Sequence, residues 1–195
     1  MSNNQTSRAA NGSDQWLKQY YFTRAAFSVL WVAAAFTVGQ HSFAVAAALL
    51  IIYPAWDAAA NVVDAVRSGG FAVNRSQTIN VTASSIMTIV VILALTMSMN
   101  WVLGAFGLWA IFSGLLQLGT ALRRWKTSGG QWAMILSGGQ SAVAGALFIF
   151  QAQMPQEPSI STVAGYAGVG AFYFLVSGIW LSVALSRRGM RRAEL

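Results

Sequence analysis

Six runs of apolar residues, each long enough to cross a lipid bilayer, leave this chain few folds to choose from. They cover about residues 20–38, 43–66, 79–96, 99–122, 132–150 and 160–185. A hydrocarbon layer about 30 Å thick takes about 20 residues of helix, so the runs and their short connections use up nearly all of the 195 residues. No second, aqueous domain fits in what remains. Only 9% of the residues are charged and 56% are hydrophobic, against roughly 25% charged in a soluble domain. All six runs are expected to be helical, because an unpaired backbone amide in hydrocarbon costs several kcal/mol and the runs are too long for barrel strands of about 9–11 residues.

The charges fix an orientation. The connections at 39–42, 97–98 and 151–159 carry no Lys or Arg. Arg8, Lys18, Arg67, Arg75, Arg123, Arg124, Lys126, Arg187, Arg188, Arg191 and Arg192 all fall on the opposite side, eleven of the twelve basic residues. The positive-inside rule then places both termini in the cytoplasm. The net charge of +7 would point to nucleic acid if those residues shared one soluble surface. Here they flank apolar spans, so no nucleic-acid partner is expected. Residues 1–19 are polar and lack the apolar core of a signal peptide, which predicts a disordered cytoplasmic tail with the first span retained as an anchor. Residues 20–188 form the transmembrane domain and 189–195 a basic tail.

The odd spans are short and the even ones long, which divides the domain into three hairpins at about 20–66, 79–122 and 132–185. Aligning Asp57, Ser113 and Ser177 brings Tyr53, Trp109 and Tyr173 together four residues earlier, Ala58, Gly114 and Gly178 one residue later, and Arg67, Arg123 and Arg187 ten residues later. The turn Ser68-Gly69-Gly70-Phe71 recurs as Ser128-Gly129-Gly130-Gln131-Trp132. Each hairpin starts and finishes on the basic side, so the repeats are parallel, unlike the inverted repeats of many transporters. A compact six-helix bundle follows, with Ser137, Ser141 and Gly145, Ala110 and Gly114, and Ala164 and Gly168 letting helices approach.

The run from Gly107 to Leu118, with Arg123-Arg124, Ser128 to Trp132 and the small-residue helix from Ser137 to Gly145, resembles the two-helix repeat of the HdeD-like membrane proteins. The likeness covers about residues 20–188 and is sharpest in the middle hairpin. It implies a bacterial inner-membrane protein associated with acid resistance or stress, and it carries over no catalytic residue. The first hairpin departs from the pattern at Pro54, Asp57 and Asp64.

An ionisable group inside a span costs at least about 2.5–3.5 kcal/mol at the helix centre, so each one needs a reason. Asp57, Asn61 and Asp64 share one stripe of the second helix, with Asp57 roughly 15 Å deep, counted at 1.5 Å per residue from Arg67. Arg24, one turn into the first helix, is expected at the depth of Asp64 and Asn61 and to hold Asp64 through its guanidinium. In a functional reading these four residues form a polar pocket open to the cytoplasm, with Asp57 as a protonatable site. In a structural reading Arg24 snorkels to the headgroups, Asp64 lies in the wet interface, and Asp57 ties helices together. Gln117 and Gln140 are secondary candidates, expected to bond between helices. Pro54 removes a helical hydrogen bond and could bare the Leu50 carbonyl. His41, in the short outer loop, would gain charge as the outside acidifies, or is simply solvated.

Enzyme chemistry finds no purchase. The chain has no cysteine, one histidine, and no motif that would hold a phosphate or a metal. Haem would need an axial ligand within a span, where methionines are available but no histidine, so a b-type cytochrome is not expected. No cofactor is expected. The expected partners are the lipid bilayer and either further copies of the chain or another membrane protein. The reading is a non-catalytic bundle for acid or stress tolerance or membrane integrity, with a small transporter or proton conduit as the alternative.

Overall fold

The computed structural model describes the backbone of residues 2–124 and 132–193. Within them lie six α-helices: α1 Ser2–Thr37, α2 Phe43–Arg67, α3 Arg75–Leu95, α4 Met99–Arg124, α5 Trp132–Ala152 and α6 Ile160–Ala193. A single 3-10 turn, Gly39–His41, joins α1 to α2. All six helices are long and apolar enough to cross a membrane.

Local signals set the helix ends. Ser42 caps α2, its hydroxyl accepting from the Val45 amide at 3.4 Å, and Asn74 caps α3 in the same way on Gln77. After α2 the chain reverses at Gly69 and Gly70, whose φ of 98° and 92° suit glycine alone. Here the Gly70 amide reaches back to the Ala65 carbonyl at 2.8 Å and closes the last turn. The equivalent turn at 128–130 lies outside the described residues. Pro54 is buried inside α2, which runs on through it.

Two expectations about the termini need correction. The segment read as a disordered tail, residues 1–19, is helical from Ser2, and the segment read as a C-terminal tail from 189 continues α6 to Ala193. No proline interrupts the first 53 residues, and Trp16 and Tyr20 bind α2, so the helix is tied down upstream of its apolar run. Polarity marked where the apolar run ends; it did not mark where the helix ends. In α3 the helix likewise starts earlier than its apolar run, at Arg75.

The helices close into a ring. The tightest packing joins α2 to α3, α4 to α5 and α6 to α1. Each tight joint is therefore between the even helix of one hairpin and the odd helix of the next, with the last hairpin returning to the first. Within a hairpin the helices stand further apart and are bridged by long side chains. Phe27 stacks on Trp56 with ring centroids 4.4 Å apart, the Trp31 indole donates to the Leu49 carbonyl at 2.7 Å, and Tyr166 donates to Ser141 at 3.1 Å. Burial repeats along the odd helices, with Ala35, Val91 and Phe148 buried at equivalent steps.

At the α4/α5 joint, glycines bring backbone against backbone. A Cβ on Gly114 would lie 2.5 Å from the Gly138 carbonyl, and one on Gly145 would lie 2.5 Å from the Gly107 carbonyl. The contact face of α5 is therefore Gly138, Ser141 and Gly145, one step round from the Ser137 stripe expected. Gly178 meets the ring of Phe22 across the α6/α1 joint, whereas Gly168 has open space around it and mediates no close approach. In lipid, moving a leucine from tails to core gains little hydrophobic energy, so close packing of this kind and polar links hold the bundle.

Candidate functional site

The polar stripe of α2 faces a matching stripe of α1. Trp16, Tyr20 and Arg24 follow at i, i+4 and i+8 and so share one face of α1. Running antiparallel to α2, they meet its polar residues in reverse order. The Trp16 indole donates to Asp64 at 3.0 Å, the Tyr20 hydroxyl donates to the Asn61 carbonyl oxygen at 3.2 Å, and Arg24 makes an ion pair with Asp57. Arg24 also donates to the Tyr20 oxygen at 3.0 Å and stands 4.5 Å from the ring centroid of Phe174 on α6.

The expected pairing of Arg24 with Asp64 is thus replaced by pairing with Asp57. The physical reason is the position of the turn between α1 and α2. Arg24 lies 15 residues before Gly39 and Asp57 lies 15 residues after Ser42, so antiparallel helices folded at that turn bring the two to the same depth. Counting from the basic end, where α1 extends far beyond its apolar run, gave the wrong level.

Asp57 uses both carboxylate oxygens. One accepts from Arg24; the other accepts from Asn61 at 3.0 Å and from the Ser84 hydroxyl of α3. Asn61 donates as well to the Asp57 backbone carbonyl at 2.8 Å. The side chains of Arg24 and Asp57 retain 13% and 17% exposure, while Asn61, Asp64 and Ser84 are buried. A carboxylate and a guanidinium so paired and hydrogen-bonded avoid most of the cost of an isolated ion in hydrocarbon. Asp64 forms a second knot nearer the basic end. It accepts from Trp16, from Ser68 at 3.3 Å and from Gln77 of α3, and Arg67 lies 4.4 Å from the centroid of the Trp16 ring.

The candidates divide accordingly. Arg24, Asp57, Asn61 and Asp64 come together in one network. Tyr53 and Trp109 meet at the bundle centre with ring centroids 6.2 Å apart, while Tyr173, their repeat equivalent, instead bonds Gln140 at 3.0 Å across the α5–α6 hairpin. The interhelical role expected of Gln140 is found; that of Gln117 is not, because its Oε1 is buried without a partner among the described residues. Ser113 and Ser177 have no part in the network. His41 is exposed on the turn between α1 and α2. Trp16, Tyr20, Gln77 and Ser84 were missed by the sequence reading. One signal was available for Ser84: Ser28, Ser84 and Ser141 occupy equivalent steps of the three odd helices, and both Ser84 and Ser141 bond a side chain of another helix. Among the described residues no three His, Asp or Glu side chains converge as a metal site.

Six membrane-length helices closed around a satisfied internal ion pair define an all-helical, multi-pass membrane protein. Within it, residues 83–150, from α3 through α4 to the end of α5, match the family model of a short repeat of unknown function, DUF308. No curated protein and no solved structure matches the chain. The matched stretch holds the α4/α5 glycine joint and Ser84, and it excludes Arg24, Asp57, Asn61 and Asp64.

Proposed function

We propose that the chain is a non-catalytic protein of the bacterial inner membrane, of the HdeD-like type, whose closed bundle acts in membrane integrity or acid and stress tolerance. The observation that carries this reading is the engagement of both carboxylate oxygens of Asp57. Their partners come from α1, α2 and α3, which is what a cross-brace between three helices requires. The match to a short repeat of unknown function supports the membrane-repeat part of the reading. The stress role rests on the resemblance alone.

A proton or ion conduit is the second reading, favoured by the unbroken stripe of polar side chains from Asp64 through Asn61 to Asp57. Proton flux in proteoliposomes separates the two. Under the bracing role, wild-type protein and Asp57→Asn both leak no faster than empty liposomes; a wild-type flux abolished by Asp57→Asn in protein that still folds would establish the conduit. The physiological part is tested by deleting the gene and measuring survival at low pH and after envelope stress, where a loss restored by the wild-type chain is expected.

The basic side of the bundle is placed in the cytoplasm in this reading, following the distribution of Arg and Lys. A reporter active only outside the cytoplasm, fused after residue 195, should stay silent, and one inserted in the loop at residues 153–159 should be active. The reverse pattern would overturn the orientation.

A further inference from the structure

We infer that α5 carries a self-association seam through which two copies of this chain pair about Gln140. Gln140 is exposed on the outer surface of the bundle, 8 residues from Trp132 and 12 from Ala152. At 1.5 Å per residue those are about 12 Å and 18 Å from the helix ends, well inside hydrocarbon. Its carbonyl oxygen accepts from Tyr173 at 3.0 Å and keeps a second lone pair. Its amide nitrogen has two protons to donate and no acceptor among the described residues. Acyl chains offer none, and the ester oxygens of lipid headgroups lie beyond the ends of the helix.

The side chains around it form the rest of the surface. Leu136, Val143, Leu147 and Phe150 are each more than half exposed, and with Gln140 they follow at alternating spacings of four and three. That is the seam of a two-helix coil with one polar position, the arrangement in which a single carboxamide fixes register and partner number. Gly139 beside it meets no heavy atom within 4 Å of where a Cβ would stand, so a second backbone can come close. The occupant follows from symmetry. Two copies inserted in the same orientation and related by a twofold axis along the membrane normal place their Gln140 side chains at the same depth. A carboxamide is both donor and acceptor, so each Gln140 donates one N–H to the other's free lone pair, and the two side chains bond reciprocally in one contact.

This inference needs only the membrane placement of α5, not the role proposed above, and its readout is independent of flux. The chain has no native cysteine, so single-cysteine variants report contacts directly. In native membranes, Val143→Cys should give an oxidised, disulfide-linked dimer, while Leu93→Cys, exposed on α3, should not. Energy transfer between labelled copies diluted in liposomes should show Gln140→Leu weakening association by about threefold to tenfold, the range measured for membrane hydrogen bonds, with Gln140→Asn retaining most of it. Equal crosslinking of Val143→Cys and Leu93→Cys, or a Gln140→Leu dimer fraction unchanged in folded protein, would overturn the seam. Should Gln140→Leu fail to fold, the two cysteine variants decide alone.

Discussion

Arg24→Leu is expected to lower the stability of the bundle by about 3–5 kcal/mol, the cost typical of stranding one member of a buried ion pair. The loss comes less from the missing attraction than from Asp57, whose carboxylate would be left among Asn61 and Ser84 with no cation in reach. Removing both charges should therefore cost much less than removing one. In Arg24→Met combined with Asp57→Leu, Asn61 keeps its bond to the Asp57 backbone carbonyl, and Ser84 can turn to a carbonyl of its own helix. More than half of the single-variant loss should return. Thermal unfolding in detergent, followed by the fluorescence of the eight tryptophans, measures both. An Arg24→Leu protein as stable as wild type would show that the pair does not brace α1 against α2.

The second large effect is expected at Gly145. A leucine there would drive a side chain into the Gly107 carbonyl and the Ile111 amide, which stand 2.5 Å and 2.8 Å from the Cβ position. Both are backbone atoms of α4, and neither can swing aside as a side-chain tip would. Overpacking of a tight core costs about 1–3 kcal/mol for small insertions; here two helices must separate along their whole joint, so Gly145→Leu should abolish the monodisperse bundle. Gly168→Ala is the control. No atom lies within 4 Å of its Cβ position, and alanine is the better helix former by about 0.8–1 kcal/mol, so its melting temperature should hold or rise. Size-exclusion profiles and melting curves of the two variants check the pair; a well-folded Gly145→Leu would contradict the backbone contact.

The contrast between these two regions explains what the sequence could reveal. Spans were readable because hydrocarbon imposes a minimum apolar length on every crossing helix, and the small residues of α4 and α5 were readable because only they permit close approach. The partner of Arg24 was missed because its level was measured from the basic end, where apolar character stops but the helix does not. Measured from the four-residue turn between α1 and α2, Arg24 and Asp57 fall opposite each other. Gln117 shows a limit of another kind. Its repeat equivalent, Asn61, bonds Tyr20 and Asp57, but the second hairpin supplies neither partner, since Ser113 stands where Asp57 does. Equivalent positions share geometry without sharing chemistry. The charged members of the network, Arg24, Asp57 and Asp64, all belong to the one hairpin that departs from its sister copies and lie outside the segment that matches the repeat model, although Gln77 and Ser84 of α3 bond to them.

The joint between α6 and α1 has a consequence for how the chain is built. The other two tight joints are between neighbours in sequence and can form as synthesis proceeds, whereas this one must wait for the last helix to enter the bilayer. Until then the flank of α1 that will receive Gly178, and the Arg24 guanidinium destined for the face of Phe174, stand open to lipid. The final span therefore serves as a clasp, and a nascent chain halted before it is an unfinished circle whose Arg24–Asp57 pair lacks the cover of Phe174.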